Sequence, residues 1–101
     1  MVRIYDAAFA DTSGNEHWHL ATFWWLDAAG NRGTWSRKAA YDFVRTHTEG
    51  TVYVSEAGRT VTVCAYYNKN GTEWIQTVAD GVRRDNLTTL AIRHRQGQPN
   101  L

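Results

Sequence analysis

His17 and His19 are separated by a single residue. In an extended chain that spacing puts both imidazoles on one face, which is how many metal sites begin. A site needs further ligands, and the remaining candidates, His47, His94, Cys64 or a carboxylate, stand at no recognisable ligand spacing. His17 and His19 are therefore weak metal candidates, and the expectation is that no metal and no cofactor is bound. Cys64, the single cysteine, sits in an alternating run between Val63 and Ala65 with no cation beside it in sequence, so it reads as a core residue rather than a nucleophile. No serine or threonine lies in a nucleophile-elbow context, no glycine-rich phosphate loop occurs, and the carboxylates are scattered singly. The expectation is a protein that is not an enzyme.

Binding chemistry is better represented. The chain carries five tryptophans, Trp18, Trp24, Trp25, Trp35 and Trp74. A domain of this size can fully cover about two or three side chains that bury ~200 Å² each. The others must be partly exposed, and exposed indoles are common anchors of binding surfaces. Trp24, Trp25 and Trp35, with Arg37 nearby in sequence, are the candidates for contacting a protein partner or a second copy of the chain. A second cluster, Arg83, Arg84, Arg93 and Arg95, is opposed within residues 83–95 by Asp85 alone, although the whole chain has a formal net charge of only +1. Such a cluster is ordinarily a solvated face. It also supports the alternative reading, a weak nucleic-acid-binding accessory protein with phosphates on the arginines and bases on nearby aromatics.

The elements that must position these residues follow from periodicity. Val2 to Phe9 and Glu16 to Asp27 read as strands, the second carrying His17 and His19 on one face. Asp11-Thr12-Ser13-Gly14-Asn15 is a turn cluster between them. From Ser36 to Thr48, Ala40, Phe43, Val44 and His47 mark one face of a helix, with Thr34 or Ser36 as the cap and Gly50 as the stop. Val52 to Val54, Thr60 to Tyr67 and Glu73 to Val78 return to strand periodicity, followed by a short helical turn through Leu87 and Leu90. The fold class expected is α+β, a small antiparallel sheet of about five strands with one helix packed across it, in the order β-β-α-β-β-β.

Length and composition bound the rest. The chain has 101 residues, with 43% hydrophobic and 13% aromatic content, which excludes disorder and allows one domain. Residues 1–95 are expected to form that domain and 96–101 a flexible tail. No apolar run reaches the ~20 residues of a membrane span, and the N-terminus has no signal-peptide pattern. A cytoplasmic location without membrane contact is expected.

The C-terminal half carries a resemblance. Gly71-Thr72-Glu73-Trp74-Ile75-Gln76-Thr77, then Asp80-Gly81, then Asp85-Asn86-Leu87 with Leu90, resembles the small, mostly bacterial family called domain of unknown function 3892. Members show a glycine, an aromatic-leucine-arginine-threonine-like strand, an Asp-Gly turn and an Asn-Leu pair followed by a second leucine. The likeness spans residues 17–91. It departs at Gln76, where arginine is usual, and at Ala91, where proline is usual. The resemblance implies an α+β fold without an established activity or ligand. It also implies a structural motif in which Asp80, Gly81, Asp85, Asn86, Leu87 and Leu90 serve as turn, cap and apolar plug. The preference of nine arginines over two lysines fits a GC-rich bacterial or phage genome.

Overall fold

The computed structural model describes residues 1–10, 14–98 and 100. Of the turn cluster read from the sequence, Asp11, Thr12 and Ser13 lie outside the described residues, as do Pro99 and Leu101 of the expected tail. The strands are β1 (Val2–Phe9), β2 (Leu20–Asp27), β3 (Arg32–Ser36), β4 (Val52–Glu56), β5 (Arg59–Tyr67), β6 (Glu73–Ala79) and β7 (Val82–Arg84). The helices are α1 (Arg37–Thr46) and α2 (Asn86–Arg95), and a single 3-10 turn covers His17–His19. The fold class is α+β, but the sheet has seven strands, in the order β3-β2-β1-β4-β5-β6-β7.

The sheet is larger than the expected five strands for two physical reasons. β3 buries only a glycine and an indole, with Arg32, Thr34 and Ser36 pointing to solvent, so it shows no apolar alternation. All three residues of β7 are exposed. The sheet is also mixed rather than antiparallel. β1 runs parallel to β4 through Val2↔Val52 and Arg3↔Tyr53, and every other neighbour is antiparallel. A second full helix, α2, replaces the short helical turn: Leu87, Leu90 and Ala91 recur at helical spacing and are buried.

Local chemistry sets the element ends. Ser36 caps α1 by accepting a hydrogen bond on Oγ from Ala39 N at 3.1 Å. Gly50 does not stop that helix. Its positive φ of 92° serves a separate turn, closed by Thr51 N donating to Thr48 O. Asp80 and Gly81 both have positive φ, 54° and 75°, and make the two-residue link between Ala79 and Val82 that suits the strand twist. At the end of α2, Gly97 N donates to His94 O and Gln98 N to Arg93 O, a Schellman stop reaching into the segment expected to be flexible. Asn100 donates its side-chain amide to Asp6 Oδ1 and to Leu90 O, each at 2.9 Å.

The sheet is strongly curled. β2 and β6 are four strand spacings apart in the sheet order, about 19 Å if the sheet were flat. Yet the 3-10 turn that leads into β2 rests on β6, with Trp18 and Trp74 ring centroids 5.8 Å apart. Register shifts in β1 between Ile4 and Asp6 and between Ala8 and Phe9 supply bends of the kind β-bulges make. Helix α1 touches β2 and β3 at one side and β5 and β6 at the other, while α2 packs chiefly on β1. Between them lies the core of Ile4, Leu20, Phe23, Val52, Ile75 and Leu87, each at most 1% exposed. Among the described residues no helix is long and apolar enough to cross a membrane.

Candidate functional site

His17 and His19 do not share a strand face. They occupy the 3-10 turn, where residues two apart point in different directions. His17 is buried, its Nε2 3.8 Å from Asp85 Oδ1 and without a hydrogen-bond partner. Loss of solvent holds its pKa below the ordinary 6.5, outweighing the Asp85 charge that pulls the other way. His19 is exposed and accepts a hydrogen bond on Nδ1 from Glu16 N at 3.2 Å. Among the described residues no group of three or more His, Cys, Asp or Glu is gathered closely enough to hold a metal ion.

Cys64 is half-buried and opens on a cleft of about 250 Å³ that also involves His47, Glu49 and Val44. Desolvation, then the Glu49 charge, pushes its thiol pKa up, so the thiolate a nucleophile needs is disfavoured. His47 lines the same cleft but is engaged with its own helix, stacked on Phe43 at 3.8 Å with Nδ1 2.7 Å from Phe43 O.

The tryptophans divide into three groups. Trp25 and Trp35 are half-buried in a ladder that continues onto Phe43 of α1, with centroid separations of 5.5 and 4.7 Å. Trp24 stacks on His94 of α2 at 5.0 Å, and that histidine holds Asp6 Oδ2 at 3.0 Å. These three, named from sequence as binding candidates, all tie strands to helices. Trp74 is buried and donates its indole N–H to Gln76 Oε1 at 3.1 Å. Trp18 is the exposed tryptophan, at 38%. Sequence reasoning missed it as a binding candidate because the run from Glu16 to Asp27 reads as one strand, in which Trp18 has no special standing.

The four arginines of 83–95 do not merge into one patch. Arg83 and Arg84 precede α2 and Arg93 and Arg95 close it, so the seven helical residues from Asn86 to Ile92, about 10 Å of helix rise, lie between the pairs. Arg83 lies over the Tyr66 ring at 4.2 Å. Arg95 lies over Phe9 at 4.4 Å and donates to Gly14 O at 2.7 Å. Arg93, His94 and Arg95 complete the last turn of α2, where cations complement the helix dipole. Of the motif residues, Asn86 accepts from Thr77 Oγ1 at 2.8 Å and donates to Glu56 Oε2, while Leu87 and Leu90 are buried against the sheet. Asp85 stands at the N-cap of α2 with no side-chain cap bond.

Trp18 and Arg37 meet instead. The Arg37 guanidinium donates to Trp18 O, joining the start of α1 to the 3-10 turn. Beside them opens a cleft of about 340 Å³ whose walls include Trp18, His19, Leu20, Ala21, Arg37 and Lys38. A second cleft of about 250 Å³, between Arg37 and Lys38 and the Asn70–Glu73 hairpin, shares those two cations. Lys38 is engaged with Asp42 at 3.1 Å and Glu73 at 3.3 Å. Arg37 has no carboxylate partner among the described residues. The first turn of α1 carries no acidic residue, so nothing there neutralises the guanidinium. The cleft therefore combines an open indole, small apolar walls and a cation without a carboxylate partner among the described residues.

Compared with protein-family models, with curated proteins and with solved structures, the chain matches none.

Proposed function

We propose that this protein is a non-catalytic binding module whose Trp18–Arg37 cleft receives a protein partner through a segment placing an apolar side chain beside a carboxylate. The observation that carries the reading is the pairing of an exposed indole with an arginine that has no carboxylate partner among the described residues, both on one cleft. Indole and guanidinium are the groups most enriched at interface hot spots, and a carboxylate engages arginine bidentately. The reading extends to kinship with the domain of unknown function 3892, since Asp80-Gly81 makes its turn and Asn86-Leu87 its anchor. It also extends to a cytoplasmic setting, where a lone thiol such as Cys64 persists.

Selection from a random displayed-peptide library tests it. Recovered peptides should share an apolar residue next to Asp or Glu and lose binding to the Arg37→Gln protein. Recovery of no consensus, or of basic peptides, counts against it.

A second reading, weak binding of single-stranded nucleic acid, is favoured by Arg83 stacked on Tyr66, which itself faces Trp74 at 6.0 Å. An oligonucleotide titration that fades steeply with salt and with Arg83→Gln supports it, and the absence of any shift at low salt removes it.

A further inference from the structure

The two edges of the sheet are built differently. β7 offers three residues, two of them arginines, and so opposes its own kind by charge. β3, at the other edge, is five residues long, pairs with β2 without a register shift, and carries no lysine, proline or bulge. Its free backbone groups can be assigned. Asp27 N donates to Asn31 O, so Asp27 and Asn31 are a hydrogen-bonded pair, and alternation makes Trp25/Gly33 and Phe23/Trp35 the next ones. Arg32 and Thr34 consequently turn their backbone N–H and C=O groups away from β2, toward solvent, as Ser36 does its N–H, while the Ser36 C=O, at the N-cap, opens the hydrogen-bond ladder of α1. All three are exposed.

We propose that this edge pairs with the same edge of a second copy, antiparallel about a two-fold axis at Thr34, giving a closed dimer with one continuous sheet. In this register Thr34 faces its own counterpart and exchanges both backbone bonds with it. Arg32 then faces Ser36 of the other copy, which avoids opposing two arginines. Gly33 faces Trp35, so no bulky side chain meets another across the new pair. The outward groups thus fall where an isologous pairing needs them, and the side-chain sequence around Thr34 is self-complementary in size and charge. A pair of five-residue strands is small beside the ~1,600 Å² of a standard interface, so the dimer is reversible and fills as concentration rises. The surface is distinct from the Trp18 cleft and does not depend on it.

Sedimentation equilibrium across a wide concentration range tests the proposal, with the full chain and three variants. The wild type should rise from monomer to dimer and stop there. Thr34→Pro removes the outward N–H without touching a β2–β3 bond and should stay monomeric with an unchanged circular dichroism spectrum. T34K and T34E should each be monomeric alone and dimerise when mixed, because only this register opposes residue 34 to itself. A wild type monomeric throughout, assembly beyond a dimer, a dimer that survives Thr34→Pro, or a T34K/T34E mixture that stays monomeric would overturn it.

Discussion

The Trp25 indole lies against the backbone of Gly33, its partner across the β2–β3 pair. A Cβ placed on Gly33 would stand 2.5 Å from Trp25 Cζ2. The ring cannot retreat freely, because Trp35 lies tilted against it and Phe43 lies tilted against Trp35. Glycine is otherwise a poor strand residue, costing about 0.5–1 kcal/mol relative to alanine, so its place here is one of close packing. Gly33→Ala should destabilise the protein by about 1–2 kcal/mol, the overpacking cost less the backbone entropy recovered. Thermal unfolding checks this, and an unchanged or raised Tm would mean that the indole moves aside.

His17 makes stability depend on pH in a stated direction. Burial lowers its folded pKa below 6.5, so the folded protein keeps the ring neutral where the unfolded chain already takes up a proton. The unfolded state therefore binds more protons below about pH 6.5, and stability falls as pH drops through that value. Denaturant midpoints measured from pH 7.5 to pH 5 should decline, and His17→Gln should flatten part of that decline. An identical slope in the two proteins would contradict the assignment.

Asn86 and Asp85 are neighbours with unequal roles. Asn86 holds the fully buried Thr77 hydroxyl and reaches Glu56, joining α2 to β6 and β4. Asn86→Ala removes the acceptor of that hydroxyl proton, leaving Thr77 Oγ1 only the bond from the backbone N–H of residue 86 at 3.3 Å, and should cost about 1–3 kcal/mol. The Asp85 side chain is 82% exposed and caps nothing. Asp85→Ala should change stability by less than about 0.5 kcal/mol. Equal effects would show that the cap, rather than the link to Thr77, holds the helix in place.

How much of this was legible in the sequence depends on what each residue had to advertise. Helix α1 was readable because Ala40, Phe43 and Val44 keep its period and Ser36 caps it. β5 and β6 were readable from alternation ending at an Asn-Gly turn, in which Gly71 alone takes a positive φ. β3 and β7 were not, since neither buries an apolar stripe of its own and both owe their place to a neighbouring strand. The His17–His19 turn was hidden because a 3-10 turn at a strand entrance leaves no period to read. The cleft was half legible. Arg37 was named and Lys38 stands beside it in sequence, but Trp18 joins them only because β3 pairs with β2, Ser36 opposite Thr22, which sets the 3-10 turn before β2 against the start of α1, and β3 has no pattern of its own to read.

The cleft reading is tested most directly by heteronuclear NMR, using the indole N–H signals of the five tryptophans as reporters. An acidic peptide with one leucine beside its carboxylates is titrated into the wild type and into Arg37→Gln, with a charge-reversed peptide as control. The expected result is a selective shift of the Trp18 indole with the acidic peptide alone. The buried Trp74 signal should change less, and affinity should fall about tenfold or more in Arg37→Gln, as loss of a charge-assisted hydrogen bond implies. A Trp18 signal that never moves, or one that moves equally with the charge-reversed peptide or in Arg37→Gln, would contradict the central claim.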